Sequence, residues 1–222
     1  MAMAERPTHP YGAFIVALAP LVMGVALASH PFIQVILDED AVAASVAPAV
    51  TRWGVVHLTV GVASGLLLLA FLAIRKYFVA AGQDQFSEWG IPFIAMGSVL
   101  FAIMPGMEFA VLAAAETGGD VAATQAALRP WFIPILAAGS VLLAVGIYLF
   151  GRLIVLSEIL SRGSIRLVVV GLAVLAVARF VPLGVVQFYV QAAAGIVALW
   201  PLAYTMWQTT PREGSGVVQA GA

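Results

Sequence analysis

Charge is scarce in this chain and cysteine is absent. Only 9% of its 222 residues are charged and 63% are hydrophobic. A soluble domain carries about 25% charged and about 45–50% apolar residues. Water offers no place to hide this much apolar surface, so the surrounding solvent is lipid. The lack of cysteine excludes disulfides, thiolate metal sites and cysteine nucleophiles. With a net charge of −1, nothing suggests nucleic acid. No HExxH, G-x-S-x-G or Walker-type loop occurs. The segments between apolar runs are too short for a soluble catalytic domain. Nothing here points to an enzyme or a cofactor.

What is present is a series of long apolar runs. A bilayer core of about 30 Å needs about 20 apolar residues per helix. Six stretches meet this, at roughly 11–29, 53–74, 91–114, 131–151, 166–182 and 184–206. Trp53, Trp89, Trp131 and Trp207 lie near their ends, where interfacial aromatics belong. The fourth run continues apolar through 153–160, where Glu158 and Arg162 stand at i,i+4 and can pair. Pro182-Leu183-Gly184 reads as a tight turn. The sequence therefore predicts an all-α integral membrane protein with six transmembrane helices. Residues 1–207 form one domain, and 208–222 are a polar, disordered tail.

Positive charge sets the orientation. Arg6, Arg75, Lys76, Arg152, Arg162, Arg166 and Arg212 fall on one side, with Arg52, Arg129 and Arg179 at or near the other. The richer side is the cytoplasm, which places both termini there and the run Asp38-Glu39-Asp40 outside. Ala26-Leu27-Ala28 resembles a signal-peptidase site. Against cleavage stand Glu5 balancing Arg6, Pro20 within the run, and apolar residues resuming at Phe32.

The two long outer loops resemble each other. Residues 40–53 read DAVAASVAPAVTRW and residues 120–131 read DVAATQAALRPW. An Asp N-cap followed by an alanine-rich tract predicts a short surface helix in each, the first shortened or kinked by Pro48. The run from Gly54 matches the run from Gly184 at nine of twenty positions without a gap. Three related hairpins would give this pattern, and so would shared biased composition.

Well inside the runs lie three ionisable side chains, His57, Glu108 and Arg179. At about 1.5 Å per residue, His57 lies roughly 6 Å below the outer boundary. Glu108 lies roughly 25 Å and Arg179 roughly 20 Å above the inner one. All three fall in or near the outer third, and Gln187 and Gln191 enter from the same side. His57, Gly61, Ser64 and Gly65 share one stripe of the second run, which small residues open to a neighbour. Gln187, Gln191, Ala194 and Gly195 share one of the sixth. Gly97, Phe101, Met104 and Glu108 share one of the third, where Pro105 frees the Phe101 carbonyl. An intramembrane charge costs at least roughly 2.5–3.5 kcal/mol, so such charges face the bundle and pair. An ion pair between Glu108 and Arg179 is expected, with His57 and the two glutamines around it. That cluster serves either as a ligand pocket or as a device that fixes helix register. Arg179 can also snorkel to the outer headgroups.

A soft metal would find His57, Met104 and Met107. Methionine at helical spacing is more often packing filler. Bis-histidine haem would need His30 and His57, since His9 lies in the N-terminal tail. His30, just before Pro31, reads as a polar residue at a helix rim.

The stretch TRWGVVHLTVGVASGLLLLAFLAIRKYF, residues 51–78, resembles a group of small multi-span bacterial membrane proteins. In these an Arg-Trp pair ends the first outer loop and a histidine follows in the second span; Arg52, Trp53 and His57 stand at those positions. The resemblance implies the span layout and the bacterial plasma membrane, and neither substrate nor cofactor. Three functions stay open. The first is a non-catalytic membrane subunit or scaffold, partnered by lipid, by a second copy or by a membrane complex. The second is a small-solute or proton-coupled carrier or sensor with an outward-facing pocket. The third is a haem or copper redox protein.

Overall fold

A computed structural model describes residues 10–209. Among them are seven α-helices, one π-helical segment and no β-strand. In chain order these are α1 (Pro10–Ala28), α2 (Glu39–Val46), α3 (Val50–Ala80), α4 (Gln85–Thr117), α5 (Val121–Ser157), α6 (Arg162–Ala178), the π segment (Val185–Val190) and α7 (Gln191–Gln208). Five helices are long and apolar enough to cross a membrane: α1, α3, α4, α5 and the π segment with α7. At 17 residues α6 is shorter. It spans about 25 Å against a hydrocarbon core of about 30 Å. The tail from 210 onward, with Arg212, and the N-terminal Arg6 and His9 lie outside the described residues.

The long helices form a ring. Each packs on its neighbour in the chain, and α1 closes the ring against α7. Large apolar side chains cover the outside, among them Val55, Leu58, Val62 and Leu69 of α3. Inside, a continuous core fills the half of the ring away from α2. It joins Phe71 and Ile74 of α3, Ile94 of α4, Leu143 and Phe150 of α5, Leu172 of α6 and Leu199 of α7. Phe71 and Phe150 meet edge to face at 4.8 Å.

The closest seam lies between α4 and α5. Where lipid replaces water the hydrophobic effect does not drive helices together, and close van der Waals packing must. Glycines permit it here. Gly90 faces Phe150, Ile94 faces Gly146, Gly97 faces Leu143, and Phe101 faces Gly139. Each step forward on α4 meets an equal step back on α5, as an antiparallel pair in fixed register requires. A Cβ on Gly97 would stand 2.9 Å from the Leu143 amide nitrogen, and one on Gly146 would stand 2.9 Å from that of Ile94.

The outer-loop expectations need correction. The first loop does hold a short helix, α2, but its N-cap is Asp38 rather than Asp40. It ends at Val46, ahead of Pro48. The second loop holds no separate helix. Asp120 caps α5 itself, bonding the Ala123 amide at 2.9 Å, and α5 runs unbroken through Pro130 and Pro134. At the other end α5 stops at Ser157. Glu158 takes a left-handed φ of 51° there, so Glu158 and Arg162 do not share a helix. The 182–184 turn instead joins the connection after α1. Gly184 N–H donates to the Gln34 carbonyl at 2.9 Å, and Ile36 N–H to that of Pro182 at 3.2 Å. A side-chain carbon on Gly184 would overlap the Ile33 carbonyl oxygen, so only glycine fits.

Adding a Cβ at Gly146 should force α4 and α5 apart. Gly146→Ala should cost about 1–3 kcal/mol, the usual range for overpacking. Gly65→Ala, where nothing lies within 4 Å, should be neutral or mildly stabilising. Thermal unfolding in detergent compares them; a Gly146→Ala variant as stable as the parent would contradict the seam.

Candidate functional site

At the α2 end the ring does not close on itself. It leaves a cavity of about 140 Å³, room for four or five waters at roughly 30 Å³ each. His57, Glu108, Arg179, Gln187 and Gln191 all line it, and all are buried. Helices α1, α3, α4, α5 and α7 each contribute to the wall, as does the π segment. Ile33, Ile36 and Val42 cover it from the α2 side. Arg129 of α5 bonds Glu39 at 2.8 Å and holds α2 down. Arg52 Nε donates to the Ser29 carbonyl at 2.5 Å and fastens the connection after α1.

Glu108 and Arg179 do not form the expected ion pair. Among the described residues the salt bridges are Arg75–Asp84 and Arg129–Glu39. Each cavity charge has its own partners instead. Gln125 Nε2 donates to Glu108 Oε1 at 3.3 Å. Glu108 Oε2 is buried without a hydrogen-bond partner. The Trp53 indole lies against this carboxylate, yet its Nε1 makes no well-formed bond.

Arg179 is the C-cap of α6 rather than a residue within a span. A cation there meets the negative end of the helix dipole. Its guanidinium stacks 3.6 Å above the Phe101 ring, a favourable cation–π arrangement. Its Nη2 donates to the Gln191 amide oxygen at 2.9 Å, and Nη1 at 3.3 Å. Its Nε faces the same oxygen. The Gln191 nitrogen turns the other way and donates to the Gln187 main-chain carbonyl at 2.8 Å. That carbonyl lies where the chain passes from π to α spacing, a change that leaves a carbonyl over.

Gln187 has a structural task. Its Nε2 donates to the carbonyls of Ala178 at 2.9 Å, Arg179 at 3.2 Å and Val181 at 2.8 Å. The Ala178 carbonyl also accepts from the Val181 amide at 3.2 Å. Those of Arg179 and Val181 lie just past the end of α6, where no further helical turn follows to serve them. The π segment carries the amide to all three.

The histidines belong to a cluster of rings. His30 stacks on Phe188 at 4.4 Å and meets Trp53 at 4.9 Å and His57 at 5.0 Å. Trp53 and His57 stand 4.6 Å apart. His30 Nδ1 lies 2.6 Å from the Pro31 carbonyl, and His57 Nδ1 lies 2.8 Å from that of Trp53. A carbonyl only accepts, so each Nδ1 carries the proton and each Nε2 keeps a lone pair. His30 lies outside the spans, in the connection after α1. Burial pushes its pKa down to about 4, against the opposing pull of the Pro31 bond. It is therefore neutral near pH 7.

His30 is thus a buried wall residue, not a rim residue. Trp53 is likewise 1% exposed, against 70% for Trp89 and Trp131; it is a core ring and not an interfacial anchor. Gln125 escaped the sequence reading. It stands seven and eleven residues before Phe132 and Leu136, and all three line the cavity. That spacing marks one helix face, visible once α5 is started at Val121. Met104 reaches the cavity and Met107 does not, so the soft-metal set is not assembled. A Cβ on Gly61 would stand 3.9 Å from the Pro105 ring, while one on Gly65 would meet nothing within 4 Å. No family model, curated protein or solved structure matches this chain.

Gln187→Leu should remove this donor from the Arg179 and Val181 carbonyls. Each buried polar group left without a partner costs about 1–3 kcal/mol. The variant should unfold at lower temperature in detergent; unchanged stability would remove Gln187 from this role.

Proposed function

We propose that the chain is a six-span protein of the bacterial plasma membrane that binds a small polar solute. Its α2 end faces outward and both termini lie in the cytoplasm. The sixth span is α6, which the following turn and the π segment supplement. One observation supports the binding reading most: a carboxylate and a guanidinium line one cavity without touching each other. A register-fixing ion pair would have brought them together. The scaffold reading loses its main physical support with that pair. Its remaining support is that Gln187 and Gln191 also serve the ends of helices.

The cavity wall is mostly apolar, with the polar groups of His57, Glu108, Gln125, Arg179 and Gln191 set into it, and it is roomy enough for water or a small solute. Beyond it the ring is filled by Phe71, Ile74, Ile94 and Phe150. Among the described residues this apolar packing lies between the cavity and the far side, which favours a receptor or ligand-binding subunit over a channel. Transport would require the core to rearrange. The cover of α2 and residues 29–38 regulates entry. The Arg129–Glu39 bridge is partly exposed and so contributes at most about 1 kcal/mol to holding that cover, beside the apolar cluster of Ile33, Val42, Val46 and Trp53.

The absence of cysteine makes a direct test simple. Met104→Cys and Ser64→Cys each place a thiol on the cavity wall. Ser98→Cys places one in a buried site off the wall. A small membrane-impermeant thiol reagent added outside should label the first two and spare the third. Arg129→Ala should speed that labelling severalfold by loosening the cover. If neither cavity cysteine reacts in folded protein, the pocket reading is wrong.

A further inference from the structure

We propose that the pocket recognises a small zwitterion, with an ammonium and a carboxylate on a short carbon frame. This rests on the pocket reading and names its ligand class. The two ends of the cavity differ in chemistry. One end accepts. Glu108 Oε2 is buried without a well-formed hydrogen bond, in a residue only 6% exposed, and the Trp53 indole lies against the carboxylate. The ring cluster of Trp53, His57, His30 and Phe188 adjoins it. Aromatic faces attract cations, and the fixed tautomers leave both imidazole Nε2 atoms as acceptors. An ammonium brings three donors and one positive charge to that side.

The other end donates. Arg179 offers five N–H groups in a planar fork suited to a carboxylate. The Gln191 oxygen faces all three guanidinium nitrogens and takes up part of that capacity, and among the described residues no carboxylate lies within salt-bridge distance. The Phe101 ring covers one face of the guanidinium, so a ligand carboxylate would have to use N–H groups directed away from Gln191. A bare anion would satisfy Arg179 and face repulsion from Glu108. A bare cation would meet the reverse. A zwitterion satisfies both at once and enters without net charge. The volume of about 140 Å³ lies below the roughly 300 Å³ of a drug-sized pocket, which restricts the frame to a few carbons. Glycine, alanine and glycine betaine are suitable probes. A zwitterionic lipid headgroup carries the same two charges and is the competing source.

Protection of the Met104→Cys thiol tests this. The protein is placed in phosphatidylglycerol nanodiscs, and labelling is timed with each probe and with acetate or methylammonium alone. A ligand at about ten times its dissociation constant leaves about a tenth of sites free. One of the zwitterions should therefore slow labelling about tenfold where neither half-molecule does. Glu108→Gln, close in shape, should lose that protection while the thiol stays reactive. Nanodiscs containing phosphatidylethanolamine separate the sources, since protection by that lipid without added solute assigns the same chemistry to a headgroup. Acetate protecting as well as glycine would overturn the zwitterion in favour of a simple anion. Labelling that no zwitterion slows would also overturn it, with the pocket itself intact. Absence of labelling in every condition would remove pocket and ligand together.

Discussion

Opposite charges enclosed in weakly polar surroundings attract strongly. At 4 Å and an effective dielectric of 20 the attraction is about 4 kcal/mol. Glu108 and Arg179 share one cavity and stay apart, and much of the fold at the α2 end serves that separation. Gln125 holds the carboxylate from α5. Phe101 and Gln191 hold the guanidinium from α4 and α7. The arrangement draws on elements all round the ring, so the cavity depends on the ring being closed. The glycine seam between α4 and α5, where Phe101 meets Gly139, fixes the register that sets Glu108 of α4 beside Gln125 of α5.

The π segment is the other device on which the site depends. Wider helical spacing turns Gln187 back to the end of α6 and sets Gln191 beside Arg179. The two glutamines therefore end one helix and anchor the charge that caps it. In the proposed reading, structure and binding share these residues. A substitution there changes stability first, and its effect on a ligand must be separated from that loss.

The gross fold was legible in the sequence because lipid demands long uninterrupted apolar runs. Five such runs appear as long helices. The polar residues of the site were legible for a related reason, since charge in lipid is conspicuous. His57, Glu108, Arg179, Gln187 and Gln191 do line one cavity. Their pairing was not legible. Depth along a helix gives height in the membrane and says little about the angle around the ring. Glu108 and Arg179 share a height yet face different partners. Gln125 was hidden because its tract read as a surface helix apart from the fourth span. Trp53 and His30 were misplaced because position near a span end suggests an interface. Here the connection after α1 folds over both and buries them. The α4–α5 seam was present as glycines at helical spacing, but only their partners reveal which ones touch.

Separate anchoring is tested most directly by exchanging the two charges. The partners are suited to the charges they hold. The Gln125 nitrogen favours a carboxylate at 108, and the Phe101 face favours a cation at 179. Glu108→Arg and Arg179→Glu should each reduce folded yield, and the doubly exchanged protein should stay as poor as the worse single variant. Recovery of parental yield and thermal stability in the double exchange would show that the two residues pair with each other, and would contradict the account.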